Sequence, residues 1–437
     1  MPATLNIVMN IFLLLSGRST RFWPLSEKTL FPVCGKTLLE HQVERLRAGG
    51  AENIILVGGA HNMKEAHAIF PDLPMVEQED LELGMLGAVE SLLKHNGGAP
   101  LMIVSGNDVI DPSAYASLLK TKGDGAILAA TVDRYFPGGY LSVTGDRITG
   151  IVEKPGEGNE PSNLINIVAH VHLDPQALAT ALQNVDRSHD DGYEQALTQL
   201  FSTKHYCAVR NEGVWNAVKY PWHMLDIAQR LLGEIKEQKI HPSAEIHPSA
   251  AIVGNVVVEE GAKIMHNAVV RGPAYIGKRA VVANNALVRN SSIGDDCVIG
   301  YCTEVKGSVL HSHVWTHMNY IGDSVIGRNV SFGGGATTGN FRLDEGEITS
   351  MVKGEKINTH RTKFGCIVGD HCRIGVQVSL NPGVKIGSGT FVCTPVFVAE
   401  DIGDRKFAYM KNGILEIREN TAEVPSPLER KHYKKGV

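Results

Sequence analysis

The sequence has little of what marks a nucleic-acid-binding or disulfide-bonded protein. Its 437 residues carry a formal net charge of −5 and no basic stripe, which argues against nucleic acid as a partner. The seven cysteines form no Cys-x-x-Cys pair and no even framework, so we expect reduced thiols in a cytoplasmic protein. Four of them are expected to be buried: Cys297, Cys302, Cys366 and Cys372.

The apolar run at residues 12–15 lacks the features of a secretory signal or a membrane span. No Lys or Arg precedes it, no small-residue cleavage site follows it, and it is too short to cross a bilayer. We therefore expect a buried first strand and no membrane partner. Met9 would make a natural start, so residues 1–8 are expected to be an extension with no role in the fold.

The most regular feature of the chain is an aliphatic residue at every sixth position in its second half. The series runs without a miss from Ile240 to Val288, slips by one residue at Ile293, and returns from Val368 to Val392. No α-helical face and no alternating strand repeats every six residues. A hexad repeat is typical of a parallel β-helix, in which one aliphatic side chain points inward on each short side.

The first half shows no such repeat and instead alternates strand-like with helical segments. This alternation indicates a Rossmann-like α/β domain with a mostly parallel sheet, whose ligands lie beyond the carboxyl ends of the strands. Strands are predicted at residues 5–15, 53–57, 101–104 and 126–132. Helices are predicted at residues 38–48, 85–94 and 114–122.

These patterns predict two domains and a tail. The α/β domain is expected over residues 1–235, with a linking amphipathic helix over 221–238. The β-helix domain is expected over residues 239–400, with a protruding inserted loop at 341–364, and the tail over 401–437. The basic end of the tail is expected to be solvated.

A glycine-bearing loop follows the first predicted strand, and its backbone N–H groups at Gly17 suit phosphate oxygens. The next residues include Arg21 and Lys28 and end in Pro32-Val33-Cys34-Gly35-Lys36. This run resembles the N-terminal signature of the sugar-1-phosphate nucleotidylyltransferases. The resemblance implies that Arg21 and Lys28 bind phosphates during catalysis. The alternative is a surface loop with incidental cations.

Further positions match that family in chain order. The resemblance implies a base-reading loop at Gln78 and Gly84 and a sugar-side loop at Gly139. The Glu-Lys-Pro motif would begin at Glu153 and Lys154, and the later asparagine would be Asn166. The resemblance also implies that Asp108 holds Mg²⁺, although an alternative alignment sets Asn107 on the metal position. In the family a sugar-phosphate oxygen attacks the α-phosphorus of a nucleoside triphosphate, and cations stabilise the growing negative charge.

The metal side of this site departs from the family pattern. Ala217, in Trp215-Asn216-Ala217, occupies the position of the second metal ligand. Hard cations prefer charged oxygen, so losing a carboxylate weakens Mg²⁺ binding. Asn216 would substitute only if the strand register shifted. Ser19 also replaces the second glycine of the phosphate loop. A nucleotidylyltransferase fold with lost or weakened catalysis therefore stays open.

A second set of matches lies in the hexad region. The segment from His317 to Asp323 resembles the H-x-x-Y-x-G-D motif of the bifunctional family that joins a nucleotidylyltransferase to a left-handed β-helix acyltransferase. That family includes N-acetylglucosamine-1-phosphate uridylyltransferase/glucosamine-1-phosphate acetyltransferase and its archaeal-type relatives, and the resemblance covers residues 9–400. It implies a general base at His317 and acceptor-binding residues at Arg289, Lys306, Tyr320, Asn340 and Lys363.

The proposed chemistry explains why such residues are needed. An amino sugar attacks a thioester only when its amine is deprotonated, and a neutral histidine can take that proton. Arg and Lys hold the sugar phosphate, so that the amine faces the acyl group. The alternative is that His317 is one more corner histidine among the 18 in the chain.

The resemblance implies a bifunctional enzyme that makes a UDP-N-acetylhexosamine-type nucleotide sugar from acetyl-CoA, UTP and a sugar phosphate with Mg²⁺. It also implies a homotrimer with shared acyl sites. Two alternatives remain: a single-activity nucleotidylyltransferase for glucose- or mannose-1-phosphate with a structural β-helix, or a weakly catalytic regulatory subunit. Ala217 favours the last, whereas Arg21 with Lys28 opposes it.

Overall fold

The computed structural model describes residues 9–189 and 191–430, which divide into two compact units. The first unit contains residues 9–18 and Leu38–Ala217, and the second contains Ser19–Thr37 and residues 218–430. The predictions for residues 1–8 and for the basic end of the tail after Arg430 lie outside the described residues.

The first unit is built on a nine-stranded mixed sheet, counted over the described residues. Its first four strands are parallel, and the antiparallel strands Leu164–His172 and Arg147–Glu153 extend it. Every residue of Asn10–Leu14 is buried, as the apolar first strand predicts. The strand order across the sheet is Met75–Glu77, Asn53–Gly58, Asn10–Leu14, Leu101–Ser105, Leu164–His172, Gly125–Thr131, Tyr206–Arg210, Arg147–Glu153 and Gly139–Thr144. A separate antiparallel pair joins Asp108–Ile110 to Trp215–Ala217.

Six helices lie in the described part of the first unit: Leu38–Ala48, Met63–Ile69, Gly84–His95, Pro112–Leu118, Pro175–Leu182 and Gly192–Thr203. The first has the predicted bounds. The helix predicted at residues 114–122 begins earlier, because Asp111 accepts a hydrogen bond from Ser113 N (3.1 Å) and Pro112 suits the first helical position. It ends at Leu118, so the last four predicted residues are not helical.

The second unit is a parallel β-helix whose short strands stack in three sheets, which we call the first, second and third coil sheets. Ile240 pairs with Val258 and Val258 with Ile276, so one coil takes three hexads. The slip at Ile293 shortens the next coil by one residue. The inward aliphatic residues form one continuous buried core, as the repeat predicts.

The strands of the three coil sheets are as follows. The first sheet contains Lys239–Ile240, Val256–Val258, Ala274–Ile276, Ser292–Ile293, Val309–Leu310, Val325–Ile326, Ile367–Val368 and Lys385–Ile386. The second contains Glu245–Ile246, Lys263–Ile264, Val281–Val282, Val298–Ile299, Ser331–Phe332, Arg373–Ile374, Phe391–Val392, Lys406–Lys411 and Ile414–Glu419, with Trp315 bridging its two parts. The third contains Ala251–Val253, Val269–Arg271, Leu287–Arg289, Glu304–Lys306, Tyr320–Gly322, Thr337–Thr338, Ser379–Leu380 and Phe397–Val398.

The coils continue where the sequence repeat lapses. Ile293 pairs with Leu310, Leu310 with Ile326, and Ile326 with Val368 across the insertion. The repeat is hidden here partly because Thr316 takes an inward position. Its hydroxyl donates to Val298 O (3.2 Å) and accepts from Gly300 N (3.0 Å), so the buried polar atom is satisfied.

Glycine at the coil corners serves close approach of the next coil. A β-carbon at Gly300 would lie 2.1 Å from Thr316 O, and one at Gly294 would lie 2.6 Å from His311 C. Neither glycine has a positive φ. The corners therefore exclude a side chain by contact with the neighbouring backbone.

The insertion predicted as a protruding loop contains a β-hairpin, which the sequence did not indicate. Thr349–Val352 pairs antiparallel with Glu355–Asn358. The hairpin packs on a later coil, because the Ser350 hydroxyl donates to Gly383 O at 2.8 Å. Two further short strands, Pro32–Val33 and Lys36–Thr37, form an antiparallel pair elsewhere in this unit.

Three other expectations are corrected at particular residues. The helix predicted over residues 221–238 spans only His223–Gly233, since glycine is a poor helix former and the chain turns at Glu234. Cys302 is exposed at a corner with φ +51, whereas Cys297, Cys366 and Cys372 are buried. The coil core continues past residue 400 to Ala408. None of the helices in residues 9–189 and 191–430 has the length and apolar character needed to cross a membrane.

Candidate active sites

The third coil sheet stacks two of the predicted cations directly on one another. Strand Leu287–Arg289 is parallel to Glu304–Lys306, and Arg289 pairs with Lys306. The next strand places Gly322 beside Lys306. Because paired residues share one face of a sheet, Arg289 and Lys306 point to the same side, about 4.8 Å apart along the stack.

Two predicted residues bond to Asp323, and a third joins them through Asn340. The Asp323 carboxylate accepts a hydrogen bond from Lys306 Nζ (2.9 Å) and from Asn340 Nδ2 (2.5 Å). Asn340 Nδ2 also lies 3.1 Å from the Tyr320 hydroxyl. Lys306, Tyr320, Asn340 and Asp323 therefore form one network, which we call the Asp323 network. Asp323 belongs to the quoted motif, but the sequence alone assigned it no role.

A second carboxylate that the sequence left without a role pairs with Arg289. Glu304 Oε1 accepts from Arg289 Nε at 2.8 Å and from Nη2 at 2.6 Å. The Lys306 side chain is 23% exposed and that of Arg289 is 38% exposed, so solvent or a ligand reaches both. A carboxylate thus holds each cation in place while the cation remains accessible. An incoming phosphate would bind the cation together with that carboxylate.

His317 lies on the corner that precedes strand Tyr320–Gly322, and its side chain is exposed. Asn319 shapes this corner from inside. Its side chain is buried, accepts from the His317 backbone N–H, and donates to Gly333 O (2.8 Å) and Ala336 O (2.9 Å). Within the described residues, no hydrogen bond or ion pair occupies the His317 imidazole, which leaves both ring nitrogens to a substrate.

Lys363 is not part of the Asp323 network, but it precedes Phe364, whose backbone contacts Asn340. Its Nζ lies 3.4 Å from the centroid of the Phe341 ring, a cation–π contact. The insertion closes here, because Phe364 N donates to Asn340 O at 3.0 Å. Both ends of the insertion therefore meet next to Asn340.

In the first unit, the hairpin of Gly139–Thr144 and Arg147–Glu153 brings three predicted residues together. Gly139 pairs with Glu153, and a β-carbon at Gly139 would lie 3.1 Å from Glu153 Oε2. Lys154 Nζ lies 2.9 Å from Glu153 Oε1, and Lys154 N donates to Gly138 O. The absence of a side chain at Gly139 leaves room beside the Glu153 carboxylate.

Gln78 and Gly84 also meet. The buried Gln78 amide donates to Gly84 O (2.9 Å) and to Asp80 O (2.7 Å), and so closes the loop between them. Asn166 lies on strand Leu164–His172, where its Oδ1 is 2.6 Å from His170 Nε2. Burial and the nearby His172 hold the pKa of His170 well below its usual range, so this histidine is neutral.

Asp108 lies in the two-stranded ladder directly opposite Ala217. Its Oδ1 accepts a hydrogen bond from the Trp215 indole N–H at 2.8 Å. Ala217 carries no ligand atom, so the paired position on this face supplies no second carboxylate. The departure noted in the sequence therefore affects one position. Asp108 has no second carboxylate opposite it, whereas the family pattern would place one there.

Asn216 does not replace the missing ligand. It pairs with Val109, and neighbouring residues of a strand point to opposite faces, so Asn216 lies on the face away from Asp108. Its Oδ1 is buried without a hydrogen-bond partner. The register shift that would bring Asn216 to the predicted metal position is therefore not present in this structure.

The phosphate loop is divided between the units. Gly17, in the first, is exposed, and a β-carbon there would meet nothing within 4 Å. In the second, Ser19 has φ +50, a conformation that favours glycine. Arg21 is exposed and lines a cavity of about 660 Å³ within the second unit. Lys28 Nζ donates to Val218 O at 3.5 Å.

Two family models match the chain. The MobA-like NTP transferase domain matches residues 11–246, and the GMPPB C-terminal domain matches residues 235–362. The first covers the α/β sheet, and the second covers the coil as far as the inserted hairpin.

Similar curated proteins span nearly the whole chain. "Bifunctional protein GlmU" of Methanococcus maripaludis is 32% identical over 93% of this chain and 98% of its own length. The protein of that name from Methanococcus vannielii is 33% identical over 94% and 100%. A "Bifunctional sugar-1-phosphate nucleotidylyltransferase/acetyltransferase" of Sulfurisphaera tokodaii is 30% identical over 91% and 99%. The chain therefore belongs to this family of bifunctional nucleotidyltransferase/acetyltransferase enzymes, in which an α/β domain precedes a left-handed β-helix.

Proposed function

We propose that the second unit transfers the acetyl group of acetyl-CoA to the amine of an amino-sugar 1-phosphate, glucosamine-1-phosphate or a close isomer. The observation that carries this proposal is the Asp323 network, which joins Lys306, Tyr320 and Asn340 beside Arg289. Arg289 and Lys306 would bind the phosphate, and the polar groups of Tyr320 and Asn340 would contact the sugar.

In this proposal His317 is the general base. The amine nitrogen attacks the thioester carbonyl carbon, the carbon–sulfur bond breaks, and coenzyme A leaves as its thiol. The proton lost by the amine passes to an unoccupied ring nitrogen of His317, which then gives it to the departing sulfur and becomes neutral again. Lys363, at the end of the insertion beside Asn340, would add a cation from the edge of the site.

We propose that the chain also transfers a uridylyl group from UTP to the acetylated sugar phosphate. Arg21 and Lys28 would neutralise the phosphates, and Gly17 would offer its N–H to them. Gln78 and Gly84 would contact the base. The sugar side would be Gly139, Glu153, Lys154 and Asn166, where the Glu153 carboxylate faces space that a side chain at residue 139 would fill.

The residues around Asp108 fit a magnesium ion that is held largely by the nucleotide. Mg²⁺ is commonly bound through one or two carboxylates together with substrate phosphates. Asp108 supplies one carboxylate, and Ala217 opposite supplies none. Mg²⁺ would help to neutralise the phosphate charge. We therefore propose Mg²⁺ as a cofactor, with Asp108 as its protein ligand and with weaker binding than two carboxylates would give.

We further propose that the enzyme acts as a homotrimer in the cytoplasm, on small molecules and without a nucleic-acid or membrane partner. The net charge of −5 supports the absence of nucleic acid. Met318, next to His317, is 52% exposed, and a neighbouring coil that shared the acyl site would cover it.

The test is incubation of the full chain with glucosamine-1-phosphate, acetyl-CoA, UTP and Mg²⁺, with free thiol and pyrophosphate measured separately. We expect both products. Pyrophosphate without thiol, obtained from glucose- or mannose-1-phosphate, would support a single-activity enzyme with a structural coil. Thiol without pyrophosphate would restrict catalysis to the coil. Neither product from any sugar phosphate would overturn the proposal and favour a regulatory subunit.

A further inference from the structure

Three metal-ligating side chains meet at the surface of the first unit, and none of them is a predicted site residue. Asp146 lies in the turn between strands Gly139–Thr144 and Arg147–Glu153, His205 precedes strand Tyr206–Arg210, and Cys207 is in that strand. One ligand atom from each lies within 4.8 Å of the other two. Over residues 9–189 and 191–430, this is the only such group of three.

Backbone hydrogen bonds hold the three residues in place. Asp146 O accepts from Ala208 N at 2.8 Å, which ties the hairpin turn to the strand that carries Cys207. His205 N donates to the Asp124 carboxylate (2.7 Å), and Asp124 N donates back to His205 O (2.9 Å). The side chains of Asp146 and His205 are exposed, so they remain able to rotate towards a common ligand.

The side-chain atoms already face one another. Cys207 Sγ lies 3.9 Å from Asp146 Oδ2 and 3.7 Å from the Lys122 carbonyl oxygen. Zinc bonds of about 2.0–2.3 Å bring neighbouring ligand atoms to roughly 3.3–3.8 Å from one another. A contraction of about 1 Å from the observed limit would therefore complete a zinc-like arrangement.

We propose that Asp146, His205 and Cys207 form a binding site for a divalent transition-metal ion, with zinc as the best match. Thiolate, imidazole and carboxylate are all zinc ligands, whereas a thiolate is a poor ligand for magnesium or calcium. Three protein ligands leave a fourth position for water or for the Lys122 carbonyl. The site goes beyond the proposed function and does not depend on it.

The site would act as a clamp at one end of the hairpin. Asp146 is at the turn, whereas Gly139 and Glu153 are at the open end, each seven residues or about 23 Å along its strand. A bound ion would cross-link the turn to strand Tyr206–Arg210, which lies next to Arg147–Glu153 in the sheet. Metal would therefore stabilise the folded unit without entering the nucleotide chemistry.

The test is titration of the full-length chain with Co²⁺, used as a spectroscopic probe, in a thiol-free reductant. A thiolate ligand gives Co²⁺ an intense near-ultraviolet charge-transfer band, which histidine or carboxylate ligands alone do not give. We expect this band to saturate at one ion per chain and to disappear when Zn²⁺ is added. Millimolar Mg²⁺ should leave it unchanged.

Variants assign the ligands. Cys207→Ser should abolish the band, and His205→Ala should weaken Co²⁺ binding at least about tenfold. The matched control is Cys302→Ser, which removes an exposed thiol outside the cluster and should leave the band intact. Circular dichroism checks that each variant is folded. Failure of the wild-type chain to give the band, or its persistence in folded Cys207→Ser, would overturn the proposal.

Discussion

The coil builds its candidate site by repetition, whereas the sheet builds its site from strand ends joined by unlike loops. In the coil, Arg289 and Lys306 are neighbours because each ends a strand of the same register. In the sheet, Gly139 faces Glu153 through one hairpin, and Gln78 faces Gly84 through another loop. A repeated register fixes the positions of several site residues at once, whereas each loop in the sheet fixes only the site residues that it joins.

The two sites also differ in how their charges are balanced. Each coil cation has a carboxylate partner: Glu304 for Arg289 and Asp323 for Lys306. At the predicted metal position the sheet has one carboxylate, Asp108, opposite an alanine. Substitutions in the coil should therefore disturb a complete network of paired charges. One substitution in the sheet is instead expected to add a ligand to an incomplete metal site. The following changes test this comparison, beginning with the largest expected effect.

Replacing His317 by alanine should separate the two activities most sharply. We expect acetyl transfer to fall by about 10²–10⁴-fold, because the attacking amine loses its general base. Pyrophosphate release from UTP and N-acetylglucosamine-1-phosphate should change less than about twofold, since it needs no amine deprotonation. The matched control is His241→Ala, which removes an exposed histidine from an early corner of the coil. Equal loss of both activities would contradict separate sites.

Replacing Lys28 by alanine should have the opposite selectivity. We expect pyrophosphate release to fall by about 10²–10³-fold, because a fixed cation no longer stabilises the phosphate charge. Thiol release should be unchanged. Lys120→Ala, at an exposed position outside the predicted site, serves as the control. A Lys28 variant that retained full nucleotidyl transfer would show that the loop cations are incidental.

Replacing Asp323 by asparagine tests the hub of the coil network. Neutralising it loosens Lys306 and Asn340 but also removes a competitor of the substrate phosphate for the Lys306 ammonium. We expect kcat for acetyl transfer to fall by roughly tenfold, with the KM for the sugar phosphate unchanged or lowered. Asp344→Asn, which alters an exposed pair with Arg342, is the control. A large rise in KM with unchanged kcat would contradict a positioning role.

Replacing Ala217 by aspartate should sharpen the sheet's metal site. It sets a second carboxylate opposite Asp108 in the ladder. We expect the Mg²⁺ concentration that gives half-maximal nucleotidyl transfer to fall about tenfold, because affinity rises with ligand charge. Asn216→Asp is the matched control, since it adds the same charge on the other face of the strand. A similar gain from both variants would mean that the effect is not one of coordination.

The sequence predicted the regular parts of both units and missed features that depend on contacts. The helix Leu38–Ala48 was predicted to the residue because Gly49-Gly50 stops it. The coils around Thr316 lie within the predicted β-helix domain, but the repeat does not mark their strands because an inward polar residue replaces the aliphatic one. Asp323 received no role because its function is to join residues that only the coil brings together. Ala217 was visible in the sequence, but its place opposite Asp108 required the register.

The smallest effects concern acid stability, because each unit has a histidine whose pKa is low in the folded state. Burial lowers the pKa of His172 to about 3 in the sheet and that of His311 to about 4 in the coil. Each is neutral when folded, whereas the unfolded chain takes up a proton below its ordinary pKa of about 6.5. The contribution of each histidine to the free energy of unfolding is therefore intact above that pH. As the solution is acidified below it, the free energy of unfolding falls by up to about 1.4 kcal/mol per pH unit for each histidine.

Substitution of either histidine by glutamine should flatten this dependence in its own unit only. Hydrogen exchange, measured between pH 7 and 5, can follow strand Leu164–His172 and strand Val309–Leu310 in the same sample. His172→Gln should reduce the pH slope of protection in the sheet and leave that of the coil unchanged, and His311→Gln should do the reverse. If either variant flattened both slopes equally, the two units would unfold as one, and the contrast between them would not extend to their stability.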